Sequence, residues 1–151
     1  MAELQPDYRP TYSSLQLDQY FSHIGFTKPR ISGQDARSSA GLSYLTSLQK
    51  HHMAAVPFEN LSLHYSPYHV IQIDPQSLFH KIVDKGHGGY CMENNCFFYT
   101  VMISLGFDVY TAGARVNRMG TGGSEDVYLG WYVCQRTAQQ LPHQVANASM
   151  P

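Results

Sequence analysis

The hydrophobic period of the chain changes once, at Gly106, and that change constrains the fold more than any other feature. Before Gly106, outside the loop-like "FENLSLHYSPYHVIQID", the apolar residues recur at three- and four-residue steps, the spacing of one helix face. Beyond it come two runs rich in aromatic and β-branched residues, "FDVYTAGARV" and "VYLGWYVC", which read as strands on either side of the turn-forming "NRMGTGGSED". Helices first and strands after is the order of an α+β fold. Two strands alone are marginal in water, so the sequence implies a sheet of which it holds only the opening.

The helical half divides at its breakers. In "SSLQLDQYFSHIGF", Leu15, Leu17, Tyr20, Phe21 and Ile24 fall near helical spacing, with Ser13 or Ser14 as cap and Gly25 as stop. "SSAGLSYLTSLQKHHMAAV" predicts a second helix with a stripe of Leu42, Leu45, Leu48 and the Met53–Val56 end, halted by Pro57. His51 and His52 fall at its end, where an imidazolium suits the helix dipole; neighbours in sequence face different ways and do not form a metal pair. "FENLSLHYSPYHVIQID" reads as loop with short extended pieces, and "PQSLFHKIVDKG" as a short helix opened by proline and closed by glycine. "CMENNCFFYTVMISLG" predicts the third long helix, with Cys91, Asn95, Phe98, Met102 and Leu105 on one side. Residues 135–151 carry neither period and read as an irregular polar tail.

Composition excludes several classes of function. A formal charge of −1 with 14% charged residues gives no footprint for nucleic acid or an anionic membrane. No apolar run approaches the ~20 residues of a membrane helix. The opening "MAELQPDYRPTYSS" lacks a basic flank followed by an apolar stretch, and the three cysteines are an odd number. The expectation is a soluble, cytoplasmic protein with free thiols and no metal. "GTGG" lacks the lysine of a phosphate loop and reads as a turn, and Arg115 and Arg118 as a solvated strand end.

The segment that carries chemistry is "GHGGYCMENN", which seats Cys91 between a glycine turn and a helix start. Thiolate, not thiol, is the nucleophile, and unpaired N–H groups and the macrodipole at a helix N-terminus favour an anion. Gly88 and Gly89 are expected to turn the backbone sharply and leave room beside the sulfur. By itself the segment allows two readings, an activated nucleophile or a small packed hydrophobe. Cys96 lies about 140° around the same helix and reads as buried and inert. Cys134 has no evident partner.

Two motifs in order carry a resemblance. Gly88, Gly89, Tyr90, Cys91 and Asn95 resemble the active-site signature of the arylamine N-acetyltransferases, and "VPFENLSLHY" resembles that family's Pro-Phe-Glu-Asn-Leu segment. The likeness extends over about residues 15 to 131. It implies a helical domain over 1–106 carrying the nucleophile, the first strands of a β-barrel domain over 107–134, and a cysteine-protease-like arrangement. It also implies ping-pong acyl transfer: Cys91 takes an acetyl group from acetyl-coenzyme A as a thioester and passes it to an aromatic amine or hydrazine. Cys91 is then the catalytic residue, with Gly88, Gly89, Tyr90 and Asn95 in support. Phe58 either lines the amine pocket or packs beneath the nucleophile's helix; Glu59 and Asn60 fix the loop after Pro57, and Asn95 braces the glycine turn.

The chain departs from the family pattern in two respects. His87 stands where the family has arginine, replacing a permanently charged fork with an imidazole. The histidine and aspartate that the resemblance implies as partners of the cysteine are also missing. "YLGWYVCQRT" holds neither, His143 sits in the polar tail, and no aspartate follows Asp126. The expectation is a truncated chain of weak or no activity, with a non-catalytic fragment or binding module as the alternative.

Overall fold

The computed structural model describes residues 9–31, 33–117 and 128–137, with 113–117 and 128–137 as backbone alone. Among them are helices α1 (Ser14–His23), α2 (Ser39–Ala55), α3 (Leu61–Tyr65), α4 (Pro75–Phe79) and α5 (Cys91–Ser104), then strands β1 (Val109–Asn117) and β2 (Tyr128–Thr137). A 3-10 turn, Asp35–Arg37, precedes α2, and a π-helical turn, His80–Asp84, continues α4.

Local chemistry sets the helix ends. The Gln16 N–H donates to Ser13 Oγ at 3.3 Å while the Ser13 N–H donates to Gln16 Oε1 at 3.0 Å, a reciprocal cap worth ~1 kcal/mol. Gly25 and Gly106 follow α1 and α5 with φ of +65° and +86°, the left-handed stop that other residues adopt only with strain.

The core gathers on α5. Phe97 and Val101 are fully buried, with Tyr20 of α1, Leu48 of α2 and Ile82 of the π turn also sealed from solvent. The Phe97 ring centre lies 5.4 Å from that of Tyr20 and 5.5 Å from that of Tyr12, within the range of favourable aromatic pairs. The two strands run antiparallel, with Val109 opposite Thr137 and an irregularity between Arg115 and Val116, and α5 packs against both. A helical layer followed by paired strands is the α+β order read from the sequence.

Three expectations change. The buried face of α2 is Gly41, Tyr44, Leu45, Leu48 and His52, whereas Leu42 and Met53 are exposed. The face is rotated because a histidine, not a leucine, continues it. The segment after Pro57 is not extended throughout, because Leu61–Tyr65 forms a helical turn whose first N–H, on Leu61, is bonded by the Glu59 carboxylate. β2 also runs to Thr137, past the point at which the irregular tail was expected to begin. Arg118, Asp126, His143 and the "GTGG" turn lie outside the described residues, as do the side chains of Arg115 and Cys134.

Candidate active site

Cys91 is the first residue of α5 and is half-buried. Tyr90 precedes it with extended backbone, φ −67° and ψ 162°, and has no side chain able to cap a helix as serine does. Glu93 does that work from inside the first turn, where its carboxylate accepts the Tyr90 N–H at 2.8 Å. This carboxylate is deeply buried and paired, with the Lys81 ammonium donating to its two oxygens at 2.9 and 3.0 Å. Lys81 also lies 3.5 Å from Glu59. One cation of the π turn therefore joins the nucleophile's helix to the segment after Pro57.

A short backbone ladder makes the same connection. The Gly89 N–H donates to the Pro57 carbonyl at 3.2 Å and the Glu59 N–H donates to the Gly89 carbonyl at 3.0 Å, which forms a parallel bridge between Phe58 and Gly89. The approach is close enough to explain both glycines. A Cβ on Gly88 would lie 1.9 Å from the Pro57 carbonyl oxygen, and one on Gly89 2.8 Å from Asn94 Oδ1. Neither residue has positive φ; Gly86 takes that conformation, at +65°. The paired glycines therefore serve contact with neighbouring chain rather than a sharp turn, and the space they leave is filled by Pro57, Glu93 and Asn94.

Asn94 braces this ladder. The buried Asn94 amide donates to the Pro57 carbonyl at 3.3 Å and to the Gly89 carbonyl at 3.2 Å, while Asn95 donates within its own helix to the Cys91 carbonyl at 2.7 Å. Phe58 is 51% exposed and Tyr90 is 42% exposed. Asn60 contacts His64 at 3.3 Å, in keeping with a loop-fixing role. Neither Lys81 nor Asn94 was singled out from the sequence. Glu93, three residues into a helix whose N-cap cannot cap itself, carries the one signal that a buried cation is needed nearby.

Other candidates resolve differently. His52 is not a solvated helix end: it is buried, its ring stacks on Phe98 with centres 4.6 Å apart, and burial, with His23 adding to it, lowers its imidazole to about 4. Cys96 is half-buried rather than sealed, and its thiol is pushed up by desolvation. His87 is exposed, and its backbone N–H donates to the Lys81 carbonyl at 3.1 Å. It lines a cavity of about 650 Å³ with Ser62, Ser66, Ser77, His80 and Lys85. Among the described residues the Cys91 sulfur has no hydrogen bond to a histidine or aspartate, no group of side chains is placed to hold a metal ion, and no helix is long and apolar enough to cross a membrane.

Comparison with known proteins agrees with this architecture. A sequence model of the N-acetyltransferases matches residues 41–127. The chain is 39% identical over 125 residues to the N-malonyltransferase FDB2 of Fusarium pseudograminearum (strain CS3096), covering 78% of this chain and 36% of that one. It is 35% identical over 101 residues to the arylamine N-acetyltransferase liver isozyme of Gallus gallus, covering 67% and 32% respectively. It thus spans about a third of the length of these curated relatives. Among solved structures, the Nocardia farcinica arylamine N-acetyltransferase superposes with a TM-score of 0.62 at 30% identity, over 89% of this chain and 44% of that one. The M. tuberculosis arylamine-N-acetyltransferase superposes with a TM-score of 0.63 at 27% identity, over 85% and 43%. With the match to the family covering more than half of its residues, the chain belongs to the arylamine N-acetyltransferase family.

Proposed function

We propose that Cys91 is an acyl-accepting nucleophile that takes a small acyl group from acyl-coenzyme A and hands it to an aromatic amine or hydrazine. In the first step sulfur attacks the thioester carbonyl, the bond to coenzyme A breaks, and coenzyme A leaves as its thiol. In the second the amine nitrogen attacks the new thioester, loses a proton and regenerates the Cys91 thiol. The observation that carries this reading is the placement of a half-buried cysteine as the first residue of α5, where the helix N-terminus favours negative charge. The exposed rings of Phe58 and Tyr90 stand on the two segments joined by the Phe58–Gly89 bridge, and are assigned to the amine's path. Gly88, Gly89 and Asn95 are assigned to support.

Acetyl-coenzyme A is the proposed donor; a malonyl donor is the variant suggested by the name of the Fusarium relative. The segment "YLGWYVCQRT" holds neither a histidine nor an aspartate, and loss of general-base help costs ~10²–10⁴-fold. Weak turnover, in the cytoplasm, is the reading for this chain, and that same gap favours a non-catalytic fragment as the rival. Release of coenzyme A in the presence of an arylamine panel separates the two: release that depends on both amine and Cys91 supports transfer, and none supports the fragment.

A further inference from the structure

The buried cluster beside Cys91 is unbalanced in charge. Glu93 on α5 and Glu59 on the segment after Pro57 bring two carboxylates, and Lys81 on the π turn brings one ammonium within 2.9 and 3.5 Å of them. Side-chain exposure is 15% for Lys81, 14% for Glu59 and 4% for Glu93, so water screens the three poorly. His87 and Lys85, the remaining charged or titratable groups of the turn that leads to Tyr90 and Cys91, are both exposed.

Geometry makes this matter to the sulfur. Glu93 holds the Tyr90 N–H, so its negative charge occupies the same helix N-terminus that Cys91 begins. Two anions at one helix end compete for its partial positive charge. An uncompensated Glu93 works against a thiolate two residues away in sequence, and a compensated one caps the helix without that cost.

We propose that Lys81 is a positioning residue for the acyl-transfer site: it neutralises the capping carboxylate of Glu93, ties it to Glu59, and so leaves the α5 N-terminus available to the Cys91 anion. This rests on the reading of Cys91 as the reacting group, but its test does not require acyl transfer. The cation at these carboxylates comes from a residue ten positions before the cysteine, and not from His87.

The test is the rate of Cys91 alkylation by iodoacetamide at fixed neutral pH on the full chain, read by peptide mass so that Cys96 and Cys134 are scored separately. Lys81→Met is expected to slow Cys91 about tenfold, and Lys81→Arg to restore it to within about twofold. Adding Glu93→Gln to Lys81→Met is expected to return most of the rate, since glutamine keeps the acceptor for the Tyr90 N–H and removes the charge. A purely structural clamp gives the opposite, with the double variant no faster than Lys81→Met. An unchanged rate in Lys81→Met, or a double variant that is slower still, overturns the proposal. If Lys81→Met loosens the fold, Cys96 speeds up along with Cys91, and Glu93→Gln alone then decides: an undiminished Cys91 rate supports the proposal and an about tenfold drop overturns it. Failure to form an acyl thioester would overturn the reading of Cys91 while leaving these alkylation rates interpretable.

Discussion

Phe58 and Gly89 pair as a parallel β-bridge, which fastens the segment after α2 to the chain two residues before Cys91. The bridge places the start of α5 by backbone contact, and side chains from three directions hold it: Asn94 from α5, Lys81 from the π turn and Glu59 from the partner segment.

Gly88→Ala tests the closeness of that contact. The added methyl meets the Pro57 carbonyl oxygen at 1.9 Å, so backbone must move, and a loss of ~2–4 kcal/mol is expected in urea unfolding. Gly25→Ala is the comparison. Its Cβ meets nothing within 4 Å and it pays only for a left-handed φ of +65°, so the loss is about 1 kcal/mol. Equal losses would mean that the Gly88 contact is slack.

Asn94→Ala removes two hydrogen bonds to carbonyls inside the ladder, at 3.3 and 3.2 Å. The expected cost is about 1–3 kcal/mol, measured by thermal or urea unfolding, with faster hydrogen exchange at the amides of Glu59 and Gly89. Exchange that stays unchanged at those two amides would remove Asn94 from its bracing role.

His52 gives the fold a pH dependence of defined sign. The Tyr20 hydroxyl, kept protonated by burial, lies 3.1 Å from His52 Nδ1, an arrangement that suits a neutral imidazole. Burial, with His23, lowers His52 to about 4, against 6.5 for an ordinary histidine. Between those two values the unfolded chain binds the extra proton and the folded chain does not. This contribution is complete above pH ~6.5 and declines as pH falls toward ~4, by up to about 3 kcal/mol. His52→Gln is expected to flatten that part of the unfolding free energy between pH 7 and 4.5. A variant that tracks the native chain over this range would contradict the assignment.

What the sequence revealed and what it hid follow one division. Contacts repeated along the chain are legible: the Ser13 cap and the glycine stops at Gly25 and Gly106 came from spacing and residue type. α5 was legible as a helix, although its most buried residues, Phe97 and Val101, lie off the stripe that spacing picked out. The rotation of α2 was hidden because periodicity weighs leucine above histidine, and here His52 is buried by an aromatic stack and a tyrosine hydroxyl. α3 was hidden because five residues are too few to show a period. At the site, the cysteine and glycines stood out by type, but the reason for the glycines did not. That reason is a carbonyl from residue 57, brought in by the fold. Lys81 and Asn94 act across separations of 12 and 37 residues, which no local pattern encodes.

The most direct measurement is the intact mass of the purified chain after incubation with excess acetyl-coenzyme A, alongside Cys91→Ala. The account expects a slow gain of one acetyl group, removable by hydroxylamine as a thioester is, mapped to the Cys91 peptide and missing from the variant. No gain at all, or a gain that persists in Cys91→Ala, contradicts it.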